Sequence, residues 1–357
     1  MRKLPRIASV GIPAAAAVVT LIALVTAVKR RNDTIESLRT MIEVQNTQTE
    51  TSQAEPYYEP VNVDHHYDLA GYKILLADET YGQIWLPVLK DVPLSVHPLE
   101  QLSQLPDGRM TSYNAAGKCN AMTGIDISSH NSVTDWNAVK NDGVDFVMLR
   151  VGVRTYGGGV LKTDDKFLEY YQGAKNAGLL VGAYFFSQAI SEEEAVEEAV
   201  LTAKQLEGLD LDFPVAYDWE IIYDDEDGAR TDNVPVDVLT DCTLAFCQNI
   251  EAFGYRAMIY QNKRTSLLKL DLPRLQDYPF WLAEYGDGPT YIYDYDMWQY
   301  SCTGTVDGIT GAVDLNLCFY DYSQDGDPEI VLDPPAGDPK EPDDAQDDAS
   351  DAGADSE

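Results

Sequence analysis

The chain has 357 residues, 45% of them hydrophobic, and its 60 acids against 25 lysines and arginines leave a formal net charge of −35. That length supplies one sizeable core with appendages, while the acidic balance excludes the basic face that nucleic acid binding needs. Five cysteines (Cys119, Cys242, Cys247, Cys302, Cys318) are too scattered for a disulfide framework and form no CxxC metal knuckle.

In chain order, residues 1–31 read as a membrane anchor: MRKLPR precedes the apolar span Val10 to Val28, and Lys29-Arg30-Arg31 follows at once. The span matches the ~20 residues that a membrane helix needs. A cleaved signal segment is the alternative, because Val25-Thr26-Ala27 loosely fits a small-residue site. Basic residues on both sides leave the orientation to be decided by function. Residues 32–66 read as a stalk, with Ile35, Leu38, Met41 and Ile42 at helical spacing before a Thr/Gln/Ser-rich stretch. Residues 67–118, with YKILLADE and GQIWLPVL between turn residues, read as a small β-rich accessory region. At the other end, residues 323–357 hold 13 acids and one lysine and little to bury, the composition of a disordered tail.

The block 119–322 has a different rhythm. GIDIS, FVMLRV, LLVGAYFF, PVAYDWE and AMIY read as strands, separated by helical stretches at DWNAVKN, DDKFLEYYQGAKNAG, SEEEAVEEAVLTAKQLEG and VDVLTDCTLAFCQNIEAFG. Ser191 with Glu194 forms a capping box, and Gly178 and Gly254 stand where helices stop. A weaker helical segment, SLLKLDLPRL, leads to FWLAEY, MWQY and VDLNLCF, whose last two gaps are too short for a helix with its turns. Alternation of this kind gives a parallel sheet. The expected fold is α/β, an irregular (β/α)5β3 TIM-like barrel. Cys302 and Cys318 stand symmetrically about Gly308 to Gly311, where a cross-hairpin disulfide would fit.

Side chains alternate along a strand, so Asp218 and Glu220 share a face while Tyr217 and Trp219 share the other. The same test puts Asp126 opposite Ile125 and Ile127, and Asp314 with Asn316 opposite Val313, Leu315 and Leu317. Any one acid at a strand end is ordinarily a helix cap or a loop ligand. Four on the inward faces of three strands meet at the barrel's C-terminal mouth, where mutual repulsion raises the pKa of at least one, as a general acid requires. A protonated and a charged carboxyl suit glycoside hydrolysis; oxygen ligation of a divalent ion is the rival use. No EF-hand or phosphate-cradling glycine loop accompanies the acids, and of four histidines only His130 lies in this block. No metal or cofactor is expected. Trp281, Tyr285, Tyr291, Tyr293, Tyr295, Trp298 and Tyr300, concentrated around the last strands, suit sugar C–H faces as a group.

With GIDIS, GAYFFSQA, PVAYDWE, FWLAEY and WQYSCTGTVDGITGAVDLN in order, the block resembles glycoside hydrolase family 25, the lysozymes that cut peptidoglycan. The resemblance implies hydrolysis of the β-1,4 bond between N-acetylmuramic acid and N-acetylglucosamine. It makes Glu220 the general acid/base and gives Asp218 one of two roles, orienting the substrate's acetamido group or assisting as nucleophile or charge stabiliser. Asp126 and Asp314 would hold the pair's geometry and protonation, with Tyr184, Tyr260 and Trp298 as wall residues. The implied partners are peptidoglycan glycan strands and, through the N-terminal helix, the membrane, with the catalytic block outside the cell. Two alternatives remain: a wall-binding module without turnover, and a hydrolase of another acetamido-sugar polymer. Oligomeric state is not legible.

Overall fold

The computed structural model describes residues 73–78, 81–222 and 229–324, all within the unit Val63–Glu357. The anchor and the stalk lie outside the described residues, as does the acidic tail beyond Gln324. Among the described residues, no helix is long and apolar enough to cross a membrane.

Eight strands close into a barrel: β1 (Met122–Ile127), β2 (Phe146–Arg154), β3 (Leu180–Ser187), β4 (Val215–Trp219), β5 (Ala257–Asn262), β6 (Phe280–Ala283), β7 (Met297–Gly304) and β8 (Val313–Cys318). Each follows a run picked out by its apolar alternation. Neighbours from β1 to β7 pair in parallel, but β8 runs antiparallel to both β7 and β1. This corrects the expectation of a wholly parallel sheet. The reason is the short β7–β8 connection, a hairpin through Ile309–Thr310, which leaves no room for a crossover helix. Its rim pairs with Ser132–Val133 in the loop after β1.

Among the described residues, five α-helices pack outside: α1 (Trp136–Asn141), α2 (Phe167–Asn176), α3 (Glu192–Leu206), α4 (Val236–Ala252) and α5 (Lys263–Lys269). The start of α3 is fixed by Ser191 Oγ accepting from Glu194 N, while the Glu194 carboxylate reaches back to Ile190 N at 3.0 Å. Gly178 and Gly254 follow α2 and α4 at φ 78° and 91°, a region where a side chain would be strained.

Outward strand residues such as Val147, Phe185, Tyr217, Trp219 and Ile259 form the layer under the helices. Inward residues form a second cluster, with Phe146, Met148, Phe213, Met258 and Met297 filling the barrel below the mouth. Phe146 stacks on Phe213 with centroids 4.5 Å apart, in space left by Gly124, where an added Cβ would meet the Phe146 ring at 2.1 Å. The floor is therefore packed, and the space beside the acids opens at the mouth.

The accessory region docks on the barrel. Lys73–Asp78 pairs with Gly82–Pro87, and Leu102–Gln104 with Met110–Ser112. Leu94 bridges to Tyr293, Ser95 N donates to Ile292 O at 2.9 Å, and Asp294 N donates to Pro93 O at 3.0 Å. His97 stacks on Phe319 at 4.2 Å, and Asp78 pairs with Arg264. These contacts occupy Tyr293 and Tyr295, the second through His97 Nε2 at 2.9 Å from Tyr295 O, while Tyr291 packs on Phe280 and Tyr293, so none of the three lies at the cleft. All five cysteines are free thiols, Cys302 exposed and Cys318 buried inside the barrel, so the cross-hairpin disulfide is absent.

Candidate active site

One cavity of about 250 Å³ at the mouth is lined by Asp126, Asp218, Glu220 and Asp314 together with Arg150, Tyr184, Phe186, Tyr260, Trp281, Tyr285 and Gln299. Strand geometry explains the convergence. Asp126, Asp218 and Glu220 sit at the C-terminal ends of parallel strands or just beyond them. Asp314 stands near the start of β8, but because β8 is reversed that end also reaches the mouth, directly opposite Asp126 in the ladder.

Trp298 is not a wall residue. Gln299 faces the cavity, so its neighbour must face away, and Trp298 is fully buried in the outer layer with Nε1 donating to Glu284 O at 2.8 Å. Tyr300 likewise packs outward, at 5.4 Å from Trp298. Of the aromatic group around the last strands, Trp281 and Tyr285 line the cavity.

A directed network holds Asp126. Its Oδ2 accepts from Gln299 Nε2 and Asn316 Nδ2, both at 2.8 Å. Each amide is oriented from behind: Trp281 Nε1 donates to Asn316 Oδ1 at 2.8 Å, and the hydroxyls of Tyr260 and Tyr285 donate to Gln299 Oε1 at 2.9 and 3.1 Å. Asp218 has no such support, and its Oδ1 is buried with no hydrogen-bond partner. A buried acceptor left unmet costs about 1–3 kcal/mol, so it asks for a donor from a bound molecule.

Every acid of the set holds its proton more tightly than usual. Burial raises Asp126 to about 8, with the Asp314 charge adding to it and the two amides opposing it. Burial and then the Glu220 and Asp126 charges push Asp218 well up, while Arg150 works the other way. Burial and Asp314 also raise Glu220, offset in part by the Tyr260 hydroxyl, and burial takes Asp314 to about 6. Such a site carries fewer charges than carboxyls near neutral pH, so proton donor and anion coexist in one cleft.

Arg150 and Gln299 were missed in the sequence. The signal was present: in FVMLRV, Phe146, Met148 and Arg150 fall on one face, and Arg150 is the one cation lining the cavity among the described residues. Its Nε and Nη2 bond Asp164 Oδ2 at 2.9 and 2.8 Å, and Nη2 reaches Ser129 Oγ at 3.2 Å. His130 is exposed and outside the cavity. Among the described residues, no group of three or more His, Cys, Asp or Glu is placed to hold a metal ion.

Comparison with known proteins places this architecture. The family model "Glycosyl hydrolases family 25" matches residues 125–309. The chain is 32% identical over 218 residues to an autolytic lysozyme of Clostridium acetobutylicum, covering 60% of this chain and 61% of that one. It is 26% identical over 216 residues to lysozyme M1 of Streptomyces globisporus, covering 54% and 66% respectively. It therefore spans about three fifths to two thirds of these relatives' length. The modular autolysin LytC of Streptococcus pneumoniae superposes with TM-score 0.49 at 22% identity, covering 69% of this chain and 56% of that one. With a family match across more than half of its length and the four acids gathered at the barrel mouth, the chain belongs to glycosyl hydrolases family 25.

Proposed function

We propose that the protein is a peptidoglycan hydrolase, an N-acetylmuramidase that cleaves the β-1,4 bond between N-acetylmuramic acid and N-acetylglucosamine. The observation that carries this reading is the partnerless Asp218 Oδ1 inside a cleft of carboxyls with raised proton affinity. An acetamido N–H is the donor that this oxygen lacks. Bound there, the group would be oriented so that its carbonyl oxygen attacks the anomeric carbon while Glu220 protonates the departing glycosidic oxygen. Water then opens the cyclic intermediate, with Glu220 taking its proton. The unmet acceptor supports this orienting role for Asp218 over attack by Asp218 itself. Asp126 and Asp314 would tune the charge of the pair, and Tyr184, Tyr260, Trp281 and Tyr285 would form the sugar walls. The lysozyme names of two relatives support the same substrate class.

The N-terminal apolar segment supports a single-pass tether with the barrel outside the cell, since only that side presents it to the wall; secretion after signal cleavage is the alternative. The test is Glu220→Gln on purified peptidoglycan. Release of reducing ends should fall by roughly 10²–10⁴-fold, the range of general acid catalysis, with the thermal midpoint unchanged or raised. Unchanged turnover would remove Glu220 from this role.

A further inference from the structure

Strand β4 stops just short of Glu220. On its β5 side the ladder ends where Asp218 faces Tyr260, and on its β3 side where Trp219 faces Ser187. Successive carbonyls of a strand point to opposite neighbours, so Trp219 O and Glu220 O each face a side where the ladder has run out. Both are met by buried side-chain amides. Gln261 Nε2 donates to Trp219 O at 2.5 Å, and Gln188 Nε2 donates to Glu220 O at 2.7 Å. Each glutamine is the first residue past the last rung on its own strand, Gln261 after Tyr260 and Gln188 after Ser187.

Neither glutamine is there for the core. Gln261 lies at 1% exposure with its Oε1 unpartnered, a cost that an apolar residue would not carry, but an apolar residue would leave Trp219 O unmet. Gln188 is at 0% exposure and is itself fixed: its Oε1 accepts from Thr231 Oγ1 at 3.3 Å and its carbonyl from Arg230 Nη1 at 3.0 Å. Arg230 is in turn held by Glu194 at 2.7 Å, at the start of α3. The bracket thus runs from a helix start to the carbonyl of Glu220.

We propose that Gln188 and Gln261 are positioning residues for Glu220, two amides that extend the β4 ladder one step on either flank and fix where its carboxyl enters the cleft. The inference rests on the reading of Glu220 as the general acid. Misplacing a catalytic group by about 1 Å costs on the order of 10²-fold, so the clamp should matter to turnover rather than to substrate affinity.

The test uses Gln261→Met and Gln188→Met in the full chain, with peptidoglycan as substrate. Gln261→Met is expected to lower kcat by roughly 10- to 100-fold, to leave KM within about twofold, and to change the thermal midpoint little, since it removes the unpartnered Oε1 but leaves Trp219 O unmet. Its alkaline limb should move to lower pH, because a Glu220 freed toward solvent loses part of the burial that raises its pKa. Gln188→Met, scored on its folded fraction, should share the kcat loss and the limb shift. An active wild type beside a Gln261→Met variant with unchanged kcat and unchanged alkaline limb overturns the clamp alone. So does a kcat loss that merely tracks a lowered midpoint with the limb unmoved. A wild type that releases no reducing ends contradicts the muramidase reading instead.

Discussion

Glu198 and Asp218 are both buried carboxyls, at 0% and 5% exposure, and burial raises the proton affinity of each. Their surroundings differ. Glu198, on α3 behind the barrel wall, has both oxygens met, Oε1 by Arg154 Nε at 2.7 Å and Oε2 by Ser187 Oγ at 2.6 Å. Asp218, at the mouth, has one oxygen with no partner and faces the charges of Glu220 and Asp126. Raised proton affinity alone does not separate the two; unmet hydrogen bonding does. Behind the wall the cost of burying a charge is offset by geometry, and at the mouth it is kept in reserve for a ligand.

Breaking each side should therefore have opposite consequences. Glu220→Gln removes turnover and keeps the fold. Arg154→Met should do the reverse, leaving Glu198 buried without its cation and costing about 3–5 kcal/mol. Urea unfolding would read that loss, while kcat of the folded fraction stays near wild type. An Arg154→Met protein as stable as wild type would show that the rear pair is idle.

A further effect at the mouth is read by pH. Asp126 holds its proton to about pH 8 in the folded chain against an ordinary value of 3.8. Between those values the folded state binds more protons than the unfolded one. This group's contribution is thus complete below about pH 4 and is lost as pH rises through about 8. Asp126→Asn should flatten that decline and gain ~1 kcal/mol or more over wild type near pH 8, while near pH 4 the two converge. Equal pH dependence of unfolding in both proteins would contradict the raised affinity. Smallest of all is the contrast between two aromatic neighbours. Tyr285→Ala should raise KM several-fold. Trp298→Phe should leave KM alone and cost about 1 kcal/mol for its bond to Glu284 O. The reverse pattern would restore Trp298 to the cleft.

What the sequence made legible was what strand alternation encodes. Asp126, Asp218, Glu220 and Asp314 were found because polar positions interrupt apolar faces at period two, and four helices because their caps and apolar stripes are local; the fifth, read over SLLKLDLPRL, starts earlier, at Lys263 behind the Asn262 cap, and ends at Lys269. Trp298 was misplaced by residue type: an aromatic beside a sugar site suggested a wall, although alternation with Gln299 already pointed it outward. The reversal of β8 escaped notice because an alternating pattern reads the same in either direction. Gln188 and Gln261 looked like ordinary polar residues, since their role depends on where neighbouring ladders end. Docking of the accessory region, through Leu94 on Tyr293 and His97 on Phe319, depends on pairings between distant segments that no local pattern announces.

Mass spectrometry of the fragments released from one defined peptidoglycan examines the central claim most directly. Cleavage by the four-acid cleft predicts products that all end in a reducing N-acetylmuramic acid, absent when Glu220→Gln replaces wild type. Fragments ending in reducing N-acetylglucosamine, or glycan strands left whole by the folded wild-type chain, would contradict it.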